Sequence, residues 1–293
     1  MRIFLTGATG FIGSRITPLL LEAGHQVLGL TRSDAGAQQL AAAGAEAHRG
    51  DLEDPASLQR GAERADAVIH CAFDHDFSRF AENCQKDKRN IEAIGVALAG
   101  SRRPFVITSS TGMGGGGGQL ASEDVFDTTH RLPRKITEET GNAVAERGVN
   151  VSYVRLPQVH DTKKQGLISP LIEITRTKGR VAYLGEGQNR WPAAHLSDVA
   201  LLYRLAVERG ESGARYNAVA EEGITTRAIA EALGRRLKLP VVSLTGDEAA
   251  AHFGWMTMFA GVDMPASSAI TREKLGWNPV GSGLIADLEN LEI

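Results

Sequence analysis

Three evenly spaced glycines, Gly7, Gly10 and Gly13 in the run Thr6-Gly7-Ala8-Thr9-Gly10-Phe11-Ile12-Gly13, follow a short apolar stretch and open a segment of helix formers. After a strand and before a helix, the first glycine permits a tight turn, the second admits a pyrophosphate close to the backbone, and the third lets helix and strand pack. Thr9, Phe11 and Ile12 lie at the helix N-terminus, where free amides and the helix dipole favour an anion. The chemistry implied is recognition of a dinucleotide. Further on stand the hydroxyls of Ser109, Ser110 and Thr111, the amine of Lys135, and two imidazoles, His75 between Asp74 and Asp76, and His160. A hydroxyl at a strand end hydrogen-bonds a substrate carbonyl, and an imidazole titrating near neutrality suits proton transfer. Asp-His-Asp also suggests a metal, but adjacent side chains diverge on any regular element and no further ligand cluster accompanies them, so no metal is expected.

Strands must hold these groups at one edge. Short β-type runs at residues 3–5, 27–30, 46–49, 67–70, 105–108 and 151–155 alternate with helical patterns at 11–23, 35–43, 79–100 and 134–147. Strands separated by helices predict a parallel sheet with right-handed crossovers and helices on both faces. After Pro157 the rhythm changes to helices at 167–178, 225–237 and 247–252 with shorter strands between them, a smaller lobe for substrate. A helix at 197–208 and a strand at 214–219 return to the first sheet. The fold class is therefore α/β: a doubly wound parallel sheet of Rossmann type with a second, smaller α/β substrate lobe. Residues 1–158, rejoined by about 196–220, form the dinucleotide-binding domain, and residues 159–195 and 221–293 the substrate lobe. The stretch 112–118, six glycines among seven residues, directly follows the hydroxyl cluster and is expected to be a mobile edge of the substrate crevice.

Composition narrows the partners. Thirty-two basic against 35 acidic residues give a net charge of -3, which supplies no field for gripping nucleic acid. Cys71 and Cys84 form no CxxC pair and sit near no histidine cluster, so both are expected as free thiols of a cytoplasmic protein. Neither a signal-peptide pattern nor a membrane-length apolar run is evident, so no membrane partner is expected, and the composition does not reveal the oligomeric state.

Beyond the glycines, Asp51-Leu52 follows the third strand, His70-Cys71-Ala72 ends the fourth, Asn90-Ile91 lies in the next helix and Phe105-Val-Ile-Thr-Ser-Ser110 forms the fifth strand. Arg155-Leu-Pro157-Gln-Val-His160, His195-Leu-Ser-Asp198-Val-Ala200 and Leu275-Gly-Trp277-Asn-Pro279 follow in that order. With TGATGFIG, this series resembles the extended short-chain dehydrogenase/reductase superfamily over nearly the whole chain. The resemblance implies a nicotinamide dinucleotide held by Gly7, Thr9, Gly10, Phe11, Ile12, Asp51, Leu52, Ala72 and Pro157, with Ser110 in the position of the active-site serine. It also implies that Lys135 hydrogen-bonds the nicotinamide ribose. Tyr183 and Arg190-Trp191 fall in the segment that lines the substrate pocket in that superfamily. At the end of the second strand, where an acidic residue selects NAD, stand Thr31-Arg32-Ser33. Arg32 offers a fork for a 2′-phosphate and Ser33 a hydroxyl, so NADP is preferred, with NAD the alternative if Asp34 reaches the ribose.

One part of the pattern breaks. The superfamily's YxxxK frame falls on residues 131–135, with Lys135 in place but Arg131 where the tyrosine belongs. An arginine cannot give up its proton, and none of Tyr153, Tyr183, Tyr203 and Tyr216 lies in such a frame. In this the chain is similar to the atypical members of the superfamily. The expected activity is an atypical NAD(P)-dependent oxidoreductase acting on a small carbonyl or alcohol substrate, with proton supply from water or a histidine. A sugar-nucleotide epimerase or dehydratase and a non-catalytic NADP-binding redox sensor remain alternatives.

Overall fold

The computed structural model describes residues 1–115 and 118–292. Its strands are β1 (Arg2–Thr6), β2 (Gln26–Thr31), β3 (Glu46–Arg49), β4 (Ala67–His70), β5 (Pro104–Ser110), β6 (Asn150–Leu156), β7 (Gln158–His160), β8 (Val181–Leu184), β9 (Arg190–His195), β10 (Arg215–Asn217), β11 (Glu221–Thr225) and β12 (Val241–Leu244). Seven make one sheet in the order β10-β6-β5-β4-β1-β2-β3, every pair parallel. The order runs outward in both directions from the β1/β4 pair. Crossovers before and after that point leave on opposite faces, so a crevice opens beyond the C-terminal ends of β1 and β4.

Strands buried on both faces read as continuous apolar runs. Ile3 and Leu5 pack one face against Ile16 and Leu20 of the helix Gly13–Glu22 and Val199, Leu202 and Tyr203 of the helix Leu196–Arg209. Phe4, pointing the other way, meets Leu58, Ile91 and Ile94. Each such side chain contributes about 1.5–3 kcal/mol by leaving water. Leu58 belongs to the helix Pro55–Glu63, which the helical patterns picked out above omit; it docks so closely that a Cβ at Gly61 would stand 2.4 Å from the Phe4 ring.

The smaller lobe holds two short sheets. β9 lies between β7, parallel to it, and β11, antiparallel; β8 pairs with β12 in parallel. Its core gathers Ile172, Val181, Trp191, Ile229, Leu233, Phe253 and Met256. The chain moves between lobes repeatedly. The helix Leu196–Arg209 and β10 join the large sheet, and Leu275 and Trp277, expected in the substrate lobe, pack with the large lobe's core. The last helix, Leu284–Glu289, returns to the smaller lobe's core. Among the described residues no helix is long and apolar enough to cross a membrane.

Candidate active site

The glycine turn lies beyond β1. Gly7 adopts φ 71°, and a Cβ there would stand 3.0 Å from the Ala72 nitrogen, so the turn touches the backbone leaving β4. At Gly13 a Cβ would come within 2.1 Å of the Gly7 carbonyl oxygen, which seats the helix directly on the turn. The Gly10 amide closes it with a 2.9 Å bond to Gly7 O, and Gly10 itself is exposed. The helix that follows has no side-chain cap and no acidic residue in its first turn. Its positive end is thus left for an anion, with Thr9, Phe11 and Ile12 half-exposed around it. These features fit a dinucleotide pyrophosphate.

At the end of β2, the Arg32 side chain is 77% exposed and its nearest carboxylate, Asp51, is 3.8 Å away. Ser33 caps the next helix by accepting from the Gly36 amide at 3.1 Å, and Asp34 is engaged by Arg49 at 2.6 Å. Asp51 accepts from the Glu53 amide at 2.9 Å, while Leu52 packs on the core beneath. Lys86 bridges Glu53 and Asp74, tying the loop after β3 to the loop after β4.

Beneath the crevice runs a chain of buried polar groups. Thr6 Oγ1 accepts the amides of Cys71 (3.2 Å) and Ala72 (3.1 Å), so its one proton goes to His70 Nδ1, 2.8 Å away. The His70 proton therefore sits on Nε2 and is donated to Asp87 Oδ1 at 3.0 Å. Asp87 Oδ2 accepts from Thr137 Oγ1 (2.6 Å) and Arg134 Nη1 (2.8 Å). Burial alone would raise the Asp87 carboxyl, but Arg134, His70 and Thr137 together hold it below the usual carboxylate range. Arg134 Nη2 donates to the Thr108 carbonyl at 3.0 Å, and its guanidinium lies 4.0 Å from the Phe73 ring centre.

The neighbouring serines diverge, as strand periodicity requires. Ser109 donates to Glu138 at 2.7 Å on the buried side, whereas Ser110, half-buried at the end of β5, accepts from the Gly112 amide at 3.3 Å and has no acceptor for its own proton among the described residues. The Lys135 Nζ donates to the Thr128 carbonyl at 3.0 Å and lies 3.6 Å from Glu139. Arg131 is exposed in the loop ahead of a 3-10 turn, Pro133–Lys135. The cation that this turn brings to the strand ends is Arg134, which the spacing of the YxxxK frame does not single out.

Pro157 lies half-buried between β6 and β7. His75 is exposed, 5.5 Å from Phe73 edge to face; the surrounding protein mass, then the charges of Lys164 and Arg134, hold its imidazole below the ordinary value. Lys164 also stands 5.6 Å over the Phe11 ring, so it faces the glycine turn from the smaller lobe. His160 is fully buried, with Nδ1 bound to Asp287 at 2.7 Å. Tyr153, Tyr203 and Tyr216 are fully buried, and Tyr183 and Trp191 belong to the smaller lobe's core. In the glycine-rich stretch, Thr111–Gly114 forms a 3-10 turn with Met113 buried, and Gly118 O accepts from Arg190 at 3.2 Å. Gly116 and Gly117, within the expected mobile edge, lie outside the described residues.

A second buried cluster braces the same edge. Glu138 takes both Nε and Nη2 of Arg155, at 2.7 and 2.9 Å, and Nε of Arg215 at 2.7 Å. Burial pushes the Glu138 carboxyl up, but these arginines and Ser109 bring it below its ordinary value. Arg155 Nη1 also holds the Ser122 carbonyl at 3.1 Å, which fixes the segment beyond the glycines.

A family model described as the NAD dependent epimerase/dehydratase family matches residues 3–219. An uncharacterized protein of Schizosaccharomyces pombe is 46% identical over 289 residues, 98% of each chain. A 4-hydroxy-2-methyl-3-oxo-4-farnesyl-3,4-dihydroquinoline-1-oxide ketoreductase of Stigmatella aurantiaca is 25% identical over 287 residues, 91% of this chain and 84% of that one. The crystal structure of the Thermus thermophilus UDP-glucose 4-epimerase in complex with NAD shares the fold, with a TM-score of 0.74 at 20% identity over 99% of this chain and 97% of that one.

Proposed function

Because the chain belongs to the NAD dependent epimerase/dehydratase family, we propose that it is an NADP-preferring oxidoreductase interconverting a small carbonyl compound and its alcohol. The observation that carries this reading is the placement, along the C-terminal ends of the neighbouring strands β2, β1, β4 and β5, of the exposed Arg32 fork, an uncapped helix N-terminus and the Ser110 hydroxyl. The bound nicotinamide supplies or accepts hydride. Gly7, Thr9, Gly10, Phe11 and Ile12 hold its pyrophosphate, Arg32 and Ser33 its 2′-phosphate, and Asp51, Leu52, Ala72 and Pro157 flank the rest. Ser110 donates its proton in a hydrogen bond to the carbonyl oxygen. Arg134 remains a guanidinium throughout and stabilises negative charge at the strand ends. Protons reach or leave the oxygen through His75 or water. Lys135 reaches the ribose only by leaving Thr128 and Glu139, so in this reading it serves the rim and Arg134 the interior.

The smaller lobe supports a carbonyl compound over a sugar nucleotide. A nucleoside diphosphate asks for free guanidinium forks. Here Arg176, Arg180, Arg190, Arg227 and Arg235 are each paired with a carboxylate, and Arg236 and Arg272 donate to Leu291 O and Ser268 Oγ. The relative named a ketoreductase fits this preference. Cys71 and Cys84, both free thiols, fit a reducing, cytoplasmic setting. The test is a screen of ketones, aldehydes and nucleotide sugars with each reduced cofactor, read by nicotinamide absorbance. Oxidation of NADPH by a simple carbonyl is the expected result; tight NADPH binding without turnover on any carbonyl would favour the sensor reading.

A further inference from the structure

We infer that the crevice takes a ketone bearing an aromatic or extended alkyl group, seated on an apolar wall formed by Phe73, Phe77, Trp255 and Met258. The inference rests on the oxidoreductase reading above and names the substrate class of that site. The first observation is where apolar surface remains exposed. Trp255 (42%) and Met258 (51%) are large apolar side chains left in water, three residues apart in the short helical stretch Gly254–Met256 and Thr257–Ala260, and Val262 (44%) follows just beyond its end. At that spacing Trp255 and Met258 share one face of the stretch. Clustered apolar exposure of this kind marks a binding surface, where scattered exposure needs no account.

The second observation is that this stripe is continuous with the carbonyl site. Trp255 stacks on Phe77 with ring centres 4.9 Å apart and planes within 10°. Phe77 contacts Phe80 at 5.5 Å, Phe80 contacts Phe73 at 6.2 Å, and Phe73 covers Arg134. Arg134 in turn grips the carbonyl of Thr108, two residues before Ser110. Aromatic rings thus line a path from the hydroxyl that would hold a carbonyl oxygen to the exposed indole on the other lobe. The third observation is charge: the arginines of that lobe are already engaged, so the wall offers contact to a ring or alkyl chain and no free fork to a diphosphate.

The protein carries its own reporter. Trp191 and Trp277 are buried, so a water-soluble quencher such as acrylamide reads Trp255. The NADP⁺-saturated protein is titrated with 2-undecanone, acetone or UDP-glucose while acrylamide quenching is followed. The expected result is that 2-undecanone lowers quenching at least about twofold while UDP-glucose and acetone leave it unchanged. Trp255→Ala and Phe77→Ala, followed by nicotinamide absorbance on a long-chain ketone, should each raise KM about tenfold or more, the scale of ~1.4 kcal/mol of lost contact, with NADP⁺ affinity unchanged. Trp255→Phe should recover most of the loss, which separates a contact role from misfolding. Shielding of Trp255 by UDP-glucose, no shielding by any ligand, or shielding that instead follows protein concentration and dimer formation in sedimentation would each overturn the inference. Turnover confined to small hydrophilic carbonyls, with Trp255 insensitive, removes this substrate class and leaves the oxidoreductase reading standing. Shielding by 2-undecanone without hydride transfer to any carbonyl removes the oxidoreductase reading instead.

Discussion

Arg134 and Asp87 meet at 2.8 Å beneath the C-terminal edge of the central sheet, while Lys135, the next residue, turns outward to Thr128. That pairing neutralises the buried Asp87 carboxylate below the crevice. Asp87 also accepts a hydrogen bond from His70, and His70 is held by Thr6 at the root of the glycine turn. The cofactor turn and the proposed carbonyl site therefore share one hydrogen-bonded foundation.

Removing one member should expose its cost. Arg134→Met leaves Asp87 as a buried carboxylate without its cation and should lower stability by about 3–5 kcal/mol in denaturant titrations. The double variant Arg134→Met/Asp87→Asn should regain a good part of that loss. If the double variant is no more stable than the single one, the pair is not the source of the effect.

Acid should act on the same groups. Asp87 and Glu138 have folded-state values held below their ordinary ones, so the stability they contribute is complete above their unfolded values, about pH 4 to 4.5, and is lost as pH falls through the folded ones. Melting temperature should drop steeply in that acid range, and Glu138→Gln should shallow the drop while lowering stability at neutral pH. A slope unaffected by the substitution would assign acid sensitivity elsewhere.

Cofactor choice hangs on Arg32. Arg32→Ala should weaken NADPH by about 10- to 150-fold, the value of a charged hydrogen bond of ~1.5–3 kcal/mol, and leave NADH nearly unchanged in fluorescence titrations. Equal losses for both cofactors would refute phosphate recognition by this side chain. Lys135→Ala, in contrast, should shift either affinity by less than about threefold, in keeping with an exposed contact.

Proton supply should show in the pH profile. Desolvation by the surrounding protein, then the charges of Lys164 and Arg134, disfavour protonation of His75, while the Phe73 backbone and Asp74 favour it; the balance lies below the ordinary imidazole value. Carbonyl reduction should therefore speed up as pH falls below about 6.5, with the inflection on the acid side of that value. Lys164→Met should move the inflection upward and His75→Asn should remove it. A profile unchanged in the His75 variant would leave water as the donor.

Ser110→Ala should cut the rate of carbonyl reduction by about 10²- to 10³-fold, as loss of one oxyanion donor does, with little change in NADPH affinity. A full wild-type rate in single-turnover hydride transfer would move the chemistry away from β5.

Much of this was readable from residue types. The glycine run, the apolar strands and the serine cluster each carry their requirement locally, and β3 and β4 fall on residues 46–49 and 67–70 as their composition indicates. The helix Pro55–Glu63 escaped notice although Pro55 stands at its first position, a start signal that its polar composition obscured. The inward placement of Arg134 was not legible: a YxxxK frame presumes an unbroken α-helix, but residues 131–132 lie in a loop and Pro133–Lys135 forms a 3-10 turn, so the spacing does not say which side chain faces the strand ends. Asp87 did leave a trace: with Cys84, Ile91 and Ile94 it lies on one apolar stripe of its helix, where a carboxylate must find a cation. Which cation answers is set 47 residues away, and no local pattern carries that.

The threading of the chain has a further bearing on how this protein is inherited and cut. Because β10, Leu275 and Trp277 belong to one lobe while β11, β12 and the closing helix belong to the other, neither lobe corresponds to an uninterrupted stretch of gene. No fragment encodes half of the crevice as a free-standing unit. Truncation before residue 284 strips Leu284 and Leu288 from the smaller lobe's core, at the far end of the chain from the cofactor turn.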